Sequence, residues 1–460
     1  MIISFVSNMI LAHLLTPNDF GVIGMLAIFI AVSSTFVDGG LGSAIIQKKE
    51  VNDKDLSTVF LFNLTLSLVL YGILYFTAPF IAKFYRLSLL APVLRVEGLI
   101  LIINSFAVVQ TALIKKRMEF EKIAYSSISA VIVSVTVSIS LAYNGFGVWA
   151  LVLQQLIYAS FYVVVIWLCS HWKPIIVFSI ESFKKMFGFG AFIFLSNIIN
   201  TLGNNIQGLI IGRFFNAGML GYYSQARKLE EIASTSISNI LDQVTYPALA
   251  KKQDDNESIV LVMQKMMKFT AFVSFPIMGF LALAANVIIP LCYGNQWAQS
   301  IPYFQILCIA GLAICLQGIT YNAVAAIGKS MSIFKWTVIK RSIAILLIMI
   351  GCYWGIYGLL IGSVLGAYTV LICNSIQVRH FLGYTLLRQF KDLIPIIIVT
   401  LLTCTINAMI KPYLDFSNII TLIISFLMFG VSYLILSYIF KVESLWEIKG
   451  FFYQMFNSKR

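Results

Sequence analysis

Long apolar runs separated by short polar loops make up most of the chain. A helix needs about 20 predominantly apolar residues to cross a bilayer, and runs of roughly that length recur throughout the sequence. The pattern predicts fourteen membrane-spanning helices, over residues 1–15, 20–41, 57–78, 96–114, 122–143, 146–168, 188–212, 219–246, 265–290, 302–327, 332–353, 356–378, 392–410 and 418–440. Two of these runs, 219–246 and 332–353, also contain charged residues.

One segment between the apolar runs has a different pattern. In residues 175–187, apolar side chains fall on one helical face and polar ones elsewhere, which predicts a short interfacial helix. The chain is therefore expected to divide into a six-helix lobe, an interfacial linker, a second six-helix lobe, helices 13 and 14, and a cytoplasmic tail. The corresponding ranges are 1–168, 169–187, 188–380, 381–440 and 441–460.

Composition agrees with this pattern. The chain of 460 residues is 60% hydrophobic and only 11% charged, whereas soluble domains are about 25% charged. The class is therefore an all-α polytopic membrane protein. The seven cysteines include no CxxC pair, and they predict neither a disulfide framework nor a metal site.

The distribution of lysine and arginine predicts the orientation. If the N-terminus is cytoplasmic, 23 of the 32 cations lie in loops on the inner side and 5 on the outer side. Cytoplasmic loops are enriched in lysine and arginine, so both termini are expected to be cytoplasmic. The net charge of +13 then indicates contact with anionic membrane lipids rather than with nucleic acid.

The sequence repeats with an offset of about 200 residues. "LAHLLTPNDFGVI" (11–23) aligns with "IGRFFNAGMLGYY" (211–223), and two later pairs follow in the same order. We therefore expect two parallel six-helix repeats, related by an axis along the membrane normal, around a central cavity. The second copy begins near Gly188, so the first copy is expected to lack about a dozen residues of helix 1.

Several motifs resemble those of a known family. "LLTPNDFGVIGM", "FVDGGLGSAIIQKK", "IGRFFNAGMLGYYSQARKL" and "VTYPALAK" are similar to segments of the polysaccharide transporter family. These are Wzx-type flippases of the multidrug/oligosaccharidyl-lipid/polysaccharide exporter superfamily, and the resemblance is nearest to the colanic-acid-type exporters. One position departs from the family pattern, because His13 stands where arginine is usual.

The resemblance implies a function. It predicts a bacterial inner-membrane protein that moves oligosaccharide repeat units, linked to polyprenyl pyrophosphate, from the cytoplasmic to the outer leaflet by alternating access and without ATP. The resemblance implies that the flipped units are built into O-antigen, capsule or exopolysaccharide. Polysaccharide polymerase and chain-length machinery are expected partners.

Ionisable groups inside spans are costly and usually face a cavity or a partner. The candidate substrate-binding residues are Arg227, Lys228, Glu231, Asp242, Lys340 and Arg341, with Asn197, Asn200 and Asn204 as a polar stripe for sugars. Two alternatives stay open. Arg227 and Glu231 are spaced to neutralise each other, and the cations at 340 and 341 are near enough to the cytoplasmic end of their helix to reach the headgroups.

Three acidic residues are candidates for proton or sodium coupling: Glu230, Asp38 and Glu97. Asp38 lies in "DGGLG", a stretch that is also typical of an ordinary turn or helix cap. No organic cofactor, metal or catalytic residue is predicted. An enzyme is disfavoured, because the longest external loop, near 78–96, is too short for a catalytic domain. A cation-coupled multidrug antiporter of the same superfamily is the alternative function, although the intramembrane cations favour an anionic substrate.

Overall fold

The computed structural model describes residues 2–250, 255–327, 330–410 and 418–446, where all regular structure is helical. Two compact units divide the chain, Met1–Ser224 and Gln225–Arg460. The first unit holds α1 (Ile2–Leu14), α2 (Pro17–Asp38), α3 (Leu41–Gln47), α4 (Asp53–Tyr85), α5 (Leu90–Glu97), α6 (Leu99–Ser105), α7 (Val108–Lys116), α8 (Phe120–Tyr143), α9 (Val148–Ser170), α10 (Ile180–Phe214) and the start of α11 (Ala217–Ala250). The second unit holds the rest of α11, α12 (Asn256–Tyr293), α13 (Ser300–Ala326), α14 (Ser330–Cys352), α15 (Gly355–Leu382), α16 (Leu386–Ile410) and α17 (Asn418–Ile439).

Ten segments of the described residues are long and apolar enough to cross a membrane. They are Pro17–Gln47, Asp53–Tyr85, Leu90–Lys116, Phe120–Tyr143, Val148–Ser170, Asn256–Tyr293, Ser300–Ala326, Gly355–Leu382, Leu386–Ile410 and Ile419–Ile439. The chain is therefore an all-helical polytopic membrane protein, as the sequence predicts. The remaining predicted spans correspond to α1, which has 13 residues, and to α10, α11 and α14, which are not among the ten.

Polar residues that interrupt the apolar runs set the starts of helices. Before α2, the backbone N–H of Thr16 donates to Asp19 Oδ2 (2.9 Å), and the Asp19 N–H donates back to the Thr16 hydroxyl. Asn52 and Asp55 form the same reciprocal cap before α4. Such caps satisfy N–H groups that a helix leaves without an internal partner. The "TPND" stretch is thus the start of a helix.

The fourth predicted span is longer and less regular than expected. Helical structure begins at Leu90 instead of residue 96, and the segment to Lys116 consists of the three short helices α5, α6 and α7. The first break falls at Gly98, where a Cβ would lie 3.2 Å from the Tyr71 ring of α4. At this break the glycine packs closely against α4. Hydropathy does not predict the break, because it depends only on how apolar the residues are.

The separate interfacial helix predicted over 175–187 is wrong. Residues 171–179 are not helical, and the second half of the predicted segment forms the first turns of α10, which begins at Ile180. Two backbone N–H groups of the linker donate at 3.0 Å to hydroxyl oxygens of α4, from Ile175 to Ser57 and from Ser179 to Thr58. Contacts with α4 thus satisfy part of the linker's backbone without a helix.

Within the first unit, α2 and the start of α11 cross in direct backbone contact. A Cβ on Gly21 would lie 1.7 Å from the carbonyl oxygen of Ala217, and a Cβ on Gly221 would lie 1.9 Å from that of Pro17. Neither distance allows a side chain, so glycine is required on both helices at this crossing.

In the second unit, α16 and α17 pack against α12. The Tyr433 hydroxyl of α17 donates to the carbonyl oxygen of Phe272 (3.0 Å). Just beyond α17, Glu443 accepts a hydrogen bond from Lys268 of α12 (2.6 Å). The two C-terminal helices are therefore integral to the second unit.

Candidate functional site

The charged face of α11 begins with an ion pair. Arg227 Nε lies 2.7 Å from Glu231 Oε1, one helical turn away, and both side chains keep some exposure, 27% and 47%. The self-neutralising pair that the spacing allows is therefore formed. Lys228 is exposed beside it, whereas Glu230 is buried on another side of the helix. The neighbouring charges of α11 thus divide between an accessible face and the interior of the unit.

Lys340 of α14 lies inside the second unit. Its side chain is buried, and Nζ donates to Asn374 Oδ1 of α15 at 2.8 Å. Asn374 Nδ2 in turn donates to the hydroxyl of Thr320 on α13 (3.3 Å), and Nζ also lies 5.9 Å from the centre of the Tyr321 ring. The amine therefore ends on neighbouring helices rather than extending along α14 toward the headgroups.

Arg341, the next residue, is half-buried and has different surroundings. Its Nε is buried and makes no hydrogen bond within the described part of the chain. A buried guanidinium N–H without a protein acceptor can donate a charge-assisted hydrogen bond to an anion such as a phosphate oxygen.

The amide stripe predicted on α10 is accessible within the first unit. Asn197, Asn200 and Asn204 are all exposed. Thr201 lies between them in sequence, and its hydroxyl is 3.0 Å from the hydroxyl of Thr35 on α2. Because amides facing lipid are unfavourable, an exposed stripe of three indicates a surface that water or sugar contacts.

The predicted coupling residues lie in different places. Glu97 of α5 is buried, with one oxygen accepting from Gln155 Nε2 (3.3 Å) and the other making no hydrogen bond in the described residues. Asp38 is the last residue of α2, before Gly39 and Gly40, whose φ angles are 53° and 70°. Asp242 belongs to α11, but its side chain lies outside the described residues.

The partners of Lys340 are the residues that the sequence analysis missed. Asn374 and Thr320 are polar residues inside largely apolar helices, and the sequence carries no further signal that they meet Lys340. Their helices meet Lys340 only in the folded unit. Among the described residues, no group of three or more His, Cys, Asp or Glu side chains could hold a metal ion.

Comparison with solved structures defines the class of protein. The chain shares the fold of the lipid II flippase MurJ in its inward closed conformation, with a TM-score of 0.80, 16% identity and coverage of 95% of this chain and 96% of that one. An inward-facing multidrug resistance MATE family transporter of the MOP superfamily gives a TM-score of 0.67 at 16% identity, over 83% of this chain and 94% of that one. The chain therefore shares the fold of both proteins.

Sequence comparison gives the family. Residues 10–302 match the polysaccharide biosynthesis protein family, to which the chain belongs. The lipopolysaccharide biosynthesis protein WzxC of Escherichia coli K12 is 27% identical over 81% of this chain and 76% of its own length. The teichuronic acid biosynthesis protein TuaB of Bacillus subtilis 168 is 26% identical over 73% and 70%. The protein is thus a multi-pass membrane transporter of polysaccharide biosynthesis, and not an enzyme.

Proposed function

We propose that the protein flips oligosaccharide repeat units, linked to polyprenyl pyrophosphate, from the cytoplasmic to the outer leaflet of a bacterial inner membrane. The observation that carries this proposal is the buried Nε of Arg341, which makes no hydrogen bond within the described part of the second unit. A pyrophosphate is an anion that a guanidinium group binds well, because the N–H donors of the guanidinium match the phosphate oxygens. A cationic drug would be repelled by this guanidinium, which disfavours a multidrug antiporter.

The parts of such a substrate need different surroundings. The exposed amides at 197, 200 and 204 offer donors and acceptors suited to sugar hydroxyls. The second unit contains a largely apolar cavity of about 410 Å³ between α12, α13, α15 and α16, lined by residues such as Phe275, Leu316 and Phe390. A prenyl chain or a membrane lipid fits this lining. Lys228, Lys340 and Asp242 remain candidates for the polar path.

The proposed topology has fourteen spans, two parallel six-helix repeats and cytoplasmic termini, with alternating access to a central cavity. The crossing of α2 and α11 supports the repeat. Gly21 contacts Ala217, and Gly221 contacts Pro17. In the register that aligns residues 11–23 with 211–223, these two contacts are equivalent, as a two-fold relation requires. The lobe boundaries proposed from the sequence, 1–168 and 188–380, follow the same register.

Complementation tests this proposal. A strain that lacks its own exporter and accumulates the lipid-linked intermediate should regain surface polysaccharide when it expresses the wild-type chain. Arg341→Ala should reduce export at least tenfold, because the guanidinium whose buried Nε has no protein acceptor is lost. Lys335→Ala is the matched control, since it removes an exposed cation from the same helix.

Two results would oppose the proposal. One is a wild-type chain that reaches the membrane but exports no polysaccharide in any strain with a related repeat unit. The other is equal export by Arg341→Ala and Lys335→Ala at equal protein levels, which would remove the arginine from substrate binding. Co-purification with a polysaccharide polymerase or chain-length protein would test the proposed partners separately.

A further inference from the structure

The apolar cavity of the second unit follows one face of α16. On that helix it is lined by Leu386, Phe390, Leu393, Ile397 and Leu401, which recur every three or four positions. The first and last of these residues are roughly 22 Å apart along the helix, at a rise of about 1.5 Å per residue. One leaflet contributes about 15 Å of hydrocarbon, half of a bilayer core of about 30 Å. The cavity is therefore long enough for a hydrocarbon chain that reaches from the headgroups to the bilayer centre.

The cavity has a closed wall and an open side. Phe275 of α12 and Leu316 of α13 line it and are buried within the unit. Ile372 of α15, together with Phe390 and Leu401 of α16, lines it and is exposed. Exposed apolar side chains on spanning helices suit contact with lipid tails, which are equally apolar. A hydrocarbon chain can therefore enter the cavity from the membrane, past the exposed residues of α15 and α16.

Polar side chains in the lining have partners inside the protein. The Ser375 hydroxyl donates to Gln389 Oε1 (2.7 Å), and Gln389 Nε2 donates to the carbonyl oxygen of Tyr384 (3.1 Å). The Tyr368 hydroxyl donates to the carbonyl oxygen of Ile309 (3.3 Å). No charged residue lines the cavity. An occupant is therefore held mainly by apolar contacts.

Arg379 lies on the line of the cavity, just beyond its end. On α15 the lining residues Tyr368, Ile372 and Ser375 share one helical face, and Arg379 continues that face four positions beyond Ser375. Its side chain is exposed and forms no salt bridge within the described part of the chain. No acidic residue stands within three positions of it. An exposed cation thus follows an apolar channel at the end where α16 begins.

We propose that this cavity binds an anionic phospholipid, with one acyl chain along α16 and the headgroup phosphate on Arg379. The guanidinium donates hydrogen bonds to the phosphate oxygens, and the apolar lining holds the chain. A zwitterionic headgroup also carries a cation, for which the turns around Arg379 provide no acidic partner. The charge and the apolar lining together therefore select a lipid with net negative charge.

The bound lipid is a resident and not a molecule in transit. Beyond Arg379 the lining carries no charge and its paired polar groups are engaged, so a headgroup has no polar path across the membrane here. This distinguishes the occupant from the transported substrate. Only the choice of leaflet rests on the proposed function, whose topology places Arg379 on the cytoplasmic side, where the membrane surface is negatively charged.

The first test compares headgroups. Binding of the first lipid to the detergent-purified full chain is measured by native mass spectrometry, with phosphatidylglycerol and phosphatidylcholine of identical acyl chains. The wild type should bind phosphatidylglycerol about fivefold more tightly, as expected for one cation beside an anionic headgroup. Arg379→Ala should lose this preference. Arg388→Ala should keep it, because this exposed arginine of α16 is about 200° around the helix from Leu386.

The second test fills the cavity. Ile372→Trp places a larger side chain in the lining at a position that is already exposed, so the fold should tolerate it. Its binding of both phospholipids should weaken several-fold. Ile376→Trp is the matched control, since Ile376 is exposed one turn further along α15 and does not line the cavity. Its binding should equal that of the wild type.

Three results would overturn the proposal. Equal binding of the two phospholipids by the wild type, or a preference that survives in Arg379→Ala, would remove the anionic headgroup. Equal binding by Ile372→Trp and Ile376→Trp would place the lipid elsewhere. Displacement of phosphatidylglycerol by an equimolar polyprenyl pyrophosphate would assign the cavity to the transported substrate. These measurements involve no transport, so a failure of the proposed function would appear separately, as a chain that binds phosphatidylglycerol but exports no polysaccharide.

Discussion

The crossing of α2 and α11 allows a quantitative prediction. Gly21→Ala would place a methyl carbon 1.7 Å from the carbonyl oxygen of Ala217, whereas such carbon–oxygen contacts normally measure about 3.3–3.6 Å. The helices would have to separate locally by about 1.5 Å or more. Overpacking in a core typically costs about 1–3 kcal/mol, and we expect the upper end of that range because the colliding atom is backbone.

The assay is the thermal midpoint of the purified protein in detergent, with Gly72→Ala as the control. No atom lies within 4 Å of the control's new Cβ. The free energy of unfolding of Gly72→Ala should therefore rise by about 0.5–1 kcal/mol, because alanine has the better helix propensity. Gly221→Ala should lose about as much as Gly21→Ala, since its methyl would lie 1.9 Å from Pro17 O. The double variant should lose less than the sum of the two single losses, because the first separation makes room for the second methyl. A Gly21→Ala protein as stable as Gly72→Ala would refute the reasoning.

Two further predictions concern stability. Asn374→Ala removes the acceptor of the buried Lys340 amine, and hydrogen bonds to charged groups contribute about 1.5–3 kcal/mol, so its thermal midpoint should fall clearly. If Lys340→Met and the exposed-site variant Lys335→Met lowered the midpoint equally, the buried contact would have no measurable role. Thr16→Ala removes the cap of α2 and should cost about 1 kcal/mol. Thr136→Ala, at an exposed position on α8, should cost less, and an equal loss would contradict the capping role.

Local features of the fold follow from the sequence. Hydropathy locates most spans to within a few residues, because each must match the thickness of the bilayer. "TPND" marks the start of α2, since a reciprocal cap depends on residues three positions apart. The Arg227–Glu231 pair follows from helical spacing in the same way.

Features that depend on contacts between distant segments cannot be predicted from the sequence in this way. The hydroxyls of α4 that hold the linker without a helix are more than 100 positions away from it in the sequence. The partner of Lys340 is 34 positions away, on a helix whose packing no local pattern specifies. From the sequence, the Lys340 amine could therefore lie either in a cavity or at the lipid headgroups.

Hydropathy and motifs in the sequence suffice for the class, the family and most of the helices of this protein, because hydrophobic length and local capping act over a few turns of chain. Tertiary structure alone decided which intramembrane groups are buried. Glu230 and Glu231 are adjacent in sequence. The first is buried against Gly311 of α13, whereas the second pairs with Arg227 on an accessible face of α11. Adjacent helical positions point about 100° apart, so their surroundings depend on which helices pack against each side.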